Sequence, residues 1–281
     1  MGCLGARAER SITLYDDVVF YNGYVSQVIY KDKQDGILRH RNSLYSIKLT
    51  DEQLDWAGSS LRMSVVIGAL CDNYDRIGNV AIALVPKGSE TYNHQSVSRM
   101  EIGRFITPFM DMNKTPNEVP YDFELDNVAY ILHDMNLREQ YDMWLEFELF
   151  GISGAAQKEI VGCAGRDDVF AGPITWFSND NPMANRRDSF TVPIVMKNPE
   201  YVAGNLNNYS AAGTDTIGVC SKTWRFTVPK AVSHSLLTLI SANHGANLGG
   251  EEYNRRLHLV YLDKELVMTY TPGGVSCEPY M

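Results

Sequence analysis

Two stretches of this chain gather side chains that could do chemistry. The first is residues 71–76, Cys71-Asp72-Asn73-Tyr74-Asp75-Arg76, set between two strongly apolar runs. A connection at such a point falls at the end of a β-sandwich, where loop residues project towards ligands. Asp75 beside Arg76 reads either as a surface ion pair of small energetic worth, or as a carboxylate oriented by a guanidinium in a polar pocket. The second stretch is residues 244–258, HGANLGGEEYNRRLH. On an extended chain Glu252, Asn254, Arg256 and His258 share one face, because side chains alternate. Acid, amide, guanidinium and imidazole in a row are costly to bury as plain core. They suit a polar ligand rich in hydroxyls and amides, such as a sugar, or they form the solvated outer face of an edge strand.

Other chemistries find less support. The six histidines (His40, His94, His133, His234, His244 and His258) form no HxH, HxxxH or HExxH pair, and no cysteine pair completes a zinc site, so no metal is expected. Residues 245–250, GANLGG, lack the GK[ST] ending of a phosphate loop and run straight into Glu251 and Glu252, which would repel phosphate. They read better as a flexible turn that leaves backbone groups open to a ligand. The 25 Lys and Arg against 34 Asp and Glu give a formal net charge of −9, which argues against nucleic acid as the main partner. No window approaches the roughly 18 apolar residues that span a bilayer, and residues 1–10 hold no apolar segment of an export signal. The five cysteines are odd in number and widely spaced, which leaves room for one or two bridges but defines no disulfide framework.

The elements that must carry these residues are strands. At 281 residues, and about 150 per domain, the chain holds two domains or one large β domain. Residues 61–70 (LRMSVVIGAL) and 78–85 (GNVAIALV) are apolar runs of strand length bounded by polar turns. Residues 143–150 (MWLEFELF) alternate around Leu145, Phe147 and Leu149, with Glu146 and Glu148 on the other face. Residues 257–262 and 266–270 read the same way, joined by a polar hairpin turn at Asp263-Lys264-Glu265. Helical signals are few: Thr50 with Gln53 three residues on is a capping-box pattern for one short helix, and residues 136–141 are ambiguous. Trp144, Trp176 and Trp224 sit in strand-like runs as core candidates. Short strands punctuated by Gly, Pro and Asn imply an all-β chain of antiparallel sandwiches. The small-residue stretch from 151 to 172 suggests a boundary, giving domains of 11–160 and 161–281.

Residues 100–109, MEIGRFITPF, closely resemble a strand-and-turn segment of the peptide-N-glycosidase F family. They follow CDNYDR and GNVAIALV at the family's spacing, and TWRFTVPK, LISANHGA and GGEEYNRRLH then come in the order of its second domain. The likeness runs from about residue 12 to residue 277. It implies two antiparallel jelly rolls packed side by side, with an active site in the cleft between them. The implied reaction is hydrolysis of the amide joining N-acetylglucosamine to asparagine, giving a glycosylamine and aspartate without metal or cofactor. By position, the principal catalytic aspartate is Asp75, the substrate-contacting arginine is Arg76 and the second-domain glutamate is Glu252. Tyr253 stands where the family carries tryptophan; Glu251, Arg256, His258 and His244 join the substrate-binding set. A third family acid lies before the strand ending at Phe150, with His133-Asp134 as a candidate region. The partner so implied is an N-linked glycoprotein, and the compartment periplasmic or extracellular; oligomeric state is not specified.

The resemblance has departures. The family's cysteines flanking the glutamate are replaced by Glu251 and Asn254, and the extra cysteine before the aspartate loop is missing. Six or seven strands fit between residues 172 and 281, so the second jelly roll is expected to be incomplete, with an exposed edge. The competing readings are a non-catalytic glycan- or glycoprotein-binding module on the same paired sandwiches, a copper oxygenase (disfavoured by the histidine spacing), and a purely structural protein.

Overall fold

The computed structural model describes residues 9–31, 34–179, 181, 183, 223, 225–228, 231–240 and 257–271. Its first body is a sandwich of two antiparallel sheets. The four-stranded sheet runs β1 (Arg10–Tyr21), β9 (Asp168–Ser178), β4 (Leu61–Ala69), β7 (Glu118–Glu124). The five-stranded sheet runs β2 (Ile37–Arg41), β3 (Leu44–Lys48), β8 (Tyr141–Leu149), β5 (Ile77–Pro86), β6 (Ser98–Ile106). Apart from the neighbouring β5 and β6, successive strands from β3 to β9 cross between the sheets, so that late strands insert beside early ones: β9 between β1 and β4, β8 between β3 and β5. That is the order of an eight-stranded jelly roll, with β2 added at one edge.

Periodicity explains which faces meet. Along β4, Leu61, Met63, Val65, Ile67 and Ala69 are buried and the residues between them less so, as a strand with one face on the core requires. They pack against Val80, Ile82 and Leu84 of β5 and Met143, Leu145, Phe147 and Leu149 of β8. Phe20 stacks on Tyr45 at 4.9 Å and meets Phe147 edge-on at 4.8 Å. Trp176 is fully buried in this core, whereas Trp144 belongs to a second, smaller cluster on the far side of the five-stranded sheet. Trp224 lies outside the described residues.

Local signals hold where they are strong. Thr50 caps α1 (Asp51–Trp56): its hydroxyl accepts from the Gln53 amide at 3.1 Å, and the Gln53 side chain accepts from the Thr50 amide at 2.9 Å. The ambiguous stretch is helical, as α3 (Met135–Gln140), preceded by α2 (Asp126–Leu132). β10 (His258–Leu262) and β11 (Glu265–Tyr270) form a hairpin whose two turn residues, Asp263 and Lys264, both have positive φ, the conformation that matches strand twist in a two-residue turn. Beyond β8 comes the short α4 (Ala156–Glu159), tied back by a Cys71–Cys163 disulfide. Because β9 lies at the centre of the four-stranded sheet, the first sandwich runs to Ser178, past the limit of 160 expected from composition.

Candidate active site

The loop between β4 and β5 is built around a buried carboxylate. Asp72 is 1% exposed and spends both oxygens. Oδ2 accepts from Arg76 Nε and from the Ile152 amide, each at 2.7 Å. Oδ1 accepts from the Tyr74 amide at 3.0 Å and from Arg76 Nη2 at 3.3 Å. Burying an ionised carboxylate is costly unless such bonds compensate it. Gly151 lets the β8–α4 connection come this close: a Cβ there would lie 2.6 Å from Val169 and 3.2 Å from Asp72 Oδ2.

Arg76 is held at its backbone as well. Its amide donates to Thr107 Oγ1 at 2.8 Å, the Thr107 amide donates to the Arg76 carbonyl at 2.8 Å, and the Thr107 hydroxyl donates to the Tyr74 carbonyl at 3.2 Å. The guanidinium sits 5.0 Å from the Tyr74 ring, which in turn meets the Phe109 ring edge-on at 5.1 Å. Tyr74 and Phe109 are both largely exposed. Asp75, between the aromatic and the arginine, is 6% exposed and has contacts of its own. The loop thus pairs the buried Asp72 carboxylate with a fixed, partly exposed cation.

A second polar system covers the outer face of the five-stranded sheet. Arg99 and Glu146 form a buried pair, with Nε to Oε2 at 2.6 Å and Nη2 to Oε1 at 2.9 Å. The Tyr92 hydroxyl donates to Glu146 Oε1 at 2.8 Å. Glu148 pairs with Arg41 and accepts from Asn79 Nδ2 at 3.2 Å. His40 lies against the Tyr92 and His94 rings, and its Nε2 is 3.0 Å from Ser46 Oγ. Burial first, then the neighbouring His94, Arg99 and Arg41, push His40 down to about 3, so its ring is neutral at ordinary pH. His94 is lowered by burial, Arg41 and Arg99, and burial with the Glu146 charge raises the Tyr92 hydroxyl. Glu146 and Glu148 were legible as the non-core face of a strand; their burial was not, because the segment carrying Tyr92, His94 and Val97 closes over that face from a distance in sequence.

Glu148 was legible in the sequence only as part of the non-core face of its strand. It lies opposite Asn79, near the start of β5, whose first residue follows Arg76 directly. Of the acids on β8 it is nearest in register to the Asp75–Arg76 loop. In the expected region, His133 and Asp134 are both buried. His133 Nε2 lies 2.7 Å from the Ala57 carbonyl, and Asp134 caps α3 through the Asn136 and Leu137 amides. His258 opens β10 and its ring is 5.0 Å from that of Tyr270. Glu252, Tyr253, Arg256, His244 and Glu251 lie outside the described residues. Among the described residues no group of three His, Cys, Asp or Glu could hold a metal ion, and no helix is long and apolar enough to cross a membrane.

The fold and loop define an all-β protein whose jelly roll presents an Asp–Arg pair at one end. The family model described as "Peptide-N-glycosidase F, N terminal" matches residues 11–158, and the one described as "Peptide-N-glycosidase F, C terminal" matches residues 214–281. The chain belongs to the peptide-N-glycosidase F family. It is similar to a solved recombinant peptide:N-glycanase F at 12% identity and TM-score 0.41, with 96% of this chain and 73% of that one covered. A second similar structure is PNGase F, a glycosylasparaginase from Flavobacterium meningosepticum, at 13% identity and TM-score 0.42, with the same coverage. A third is a peptide-N(4)-(N-acetyl-β-D-glucosaminyl)asparagine amidase at 13% identity and TM-score 0.41, with 97% and 74% covered. No curated protein matches the sequence.

Proposed function

We propose that this protein is an amidohydrolase that cleaves the amide between N-acetylglucosamine and asparagine in N-glycoproteins, releasing a glycosylamine and leaving aspartate. The observation that carries the reading is the loop of residues 71–76, where buried Asp75 adjoins an arginine fixed at both its backbone and its head. Hydrolysis of an unstrained amide needs an activated water, a proton for the departing nitrogen and stabilisation of an oxyanion. Asp75 activates or positions the water. Arg76 anchors the glycan or the developing oxyanion. Glu252 holds the sugar from the second domain and polarises the site, with Tyr253, Arg256, His258, His244 and Glu251 lining the substrate. Glu148, fixed by Arg41 and Asn79, is the further acid on the first domain's side. Two carboxylates in unlike surroundings can divide the acid and base roles. No cofactor enters this chemistry.

The buried Cys71–Cys163 disulfide supports an oxidising compartment, in keeping with a protein that acts outside the cytosol on glycoproteins. The deciding experiment is incubation with a denatured N-glycoprotein followed by mass measurement of the peptide. Conversion of asparagine to aspartate at the glycosylation site is expected, and Asp75→Asn should abolish it. Retention on an immobilised glycoprotein without any conversion would make the protein a glycan-binding module instead.

A further inference from the structure

We propose that Asp72 is a positioning residue of this site: it fixes the plane of the Arg76 guanidinium without touching substrate itself. The inference rests on the reading above, in which Arg76 contacts the substrate. Asp72 is anchored independently of Arg76, because the Tyr74 amide holds one oxygen and the Ile152 amide the other. Those two bonds belong to different chain segments, and the disulfide at the adjacent Cys71 ties the loop to residue 163. Against this fixed carboxylate, Arg76 docks through Nε and Nη2 together. A two-point contact along one edge of a planar guanidinium sets its orientation as well as its position. The opposite edge, Nη1, has no hydrogen-bond partner among the described residues, and the side chain is 20% exposed where Asp72 is 2%. The arrangement therefore presents one donor group outwards and locks the rest.

A carboxylate is required for this. Each oxygen takes two donors, one from the backbone and one from Arg76. An amide in its place keeps one oxygen and sets an NH2 against the donors on the other side, so Asp72→Asn breaks half the clamp while preserving volume. A group that acts only by orienting Arg76 has nothing left to do once Arg76 is gone. That separates positioning from a general stabilising role.

The test uses the full chain. kcat/KM for glycan release is measured for the wild type, Asp72→Asn, Arg76→Ala and the double variant, with thermal unfolding of each. Asp72→Asn should lose about 100-fold, the order expected for misplacing a catalytic contact by about 1 Å, and the double variant should be no slower than Arg76→Ala. Losses that multiply, or an Asp72→Asn variant within two-fold of wild type, overturn the proposal. A second measurement needs no folded variant at position 72 and no activity: solvent exchange of the Arg76 Nε proton by 15N NMR of the wild type, assigned by its loss in Arg76→Lys. Exchange slowed well below that of exposed arginines supports the clamp, and exchange as fast as theirs refutes it. If the wild type releases no glycan, the amidase reading falls, while the exchange rate still decides whether Asp72 holds Arg76.

Discussion

Cys163 is covalently bonded to Cys71, with 5.5 Å between their Cα atoms, and Cys71 immediately precedes the carboxylate that fixes Arg76. The bridge spans a sequence separation of 92 and joins the site loop to the segment after α4, burying both sulfurs with Ala156 and Ile160. A crosslink closing so long a loop restricts the unfolded chain strongly. Cys163→Ala is expected to lower the unfolding free energy by about 2–5 kcal/mol. Urea denaturation of the oxidised wild type, the variant and the wild type in a dithiol reductant should place the last two together. Coincidence of all three curves would show that the bond does not stabilise the fold.

The Arg99–Glu146 pair makes a different kind of prediction. Both side chains are 2% exposed, and Glu146 also accepts from Tyr92. Removing one charge leaves the other buried without its counterpart, which costs about 3–5 kcal/mol, whereas removing both restores much of the loss. Glu146→Ala should therefore destabilise the protein more than the double variant Glu146→Ala, Arg99→Met. Equal denaturation midpoints for single and double variants would mean that the pair is not desolvated as described.

His40 gives the fold a pH dependence whose sign follows from its surroundings. Folding lowers it from 6.5 to about 3, through burial first and then the positive field of its neighbours. The unfolded chain binds a proton below pH 6.5 that the folded one refuses. The His40 contribution is thus fully present above pH 6.5 and is lost as the pH falls towards 3, by up to about 1.4 kcal/mol per pH unit. His94, shifted the same way, adds to the trend. Asp142, held low against burial by Lys48, the Gly88 amide and Lys87, acts only as the pH falls through and below the ordinary carboxylate range. Unfolding free energies at pH 7 and pH 5 isolate the histidines. His40→Gln should shrink the difference between them, and an undiminished slope would assign the effect elsewhere.

What could be read from the sequence divides along a physical line. Features set by neighbours in the chain were legible: the alternation of Leu61, Met63, Val65 and Ile67, the Thr50–Gln53 cap, and the turn at Asp263 and Lys264. Asp75 and Arg76 stood out because charged residues between two apolar strands are conspicuous. Features set by distant chain were not. Nothing local says that Cys71 joins Cys163, since spacing does not determine connectivity. Nothing near Asp72 announces the Ile152 amide. The stretch from 151 to 172 reads as a domain boundary by composition. Gly151 and Gly172 in fact permit close approach, and the end of the stretch already belongs to β9 in the middle of the first sheet.

Gly172 shows how demanding that approach is. A Cβ at this position would sit 1.8 Å from the Val66 carbonyl oxygen, a backbone atom that no rotamer change can move. The contact falls between the Val65↔Ile174 and Gly68↔Ala171 pairs, where β4 and β9 keep one register across two unpaired positions. Gly172→Ala is expected to cost about 1–3 kcal/mol by overpacking. Gly68 lies on the partner strand and is the internal control. Its Cβ would meet the Ala171 carbonyl at 3.7 Å, an ordinary contact, so Gly68→Ala should be tolerated. The strain of Gly172→Ala lies in the strand pair that leads directly into Leu70 and Cys71, whose amides donate to the Val169 and Asp168 carbonyls. Glycan release should therefore fall together with stability in Gly172→Ala and hold in Gly68→Ala. Similar denaturation midpoints for the two variants would show that β4 and β9 do not approach as closely as the Val66 contact requires.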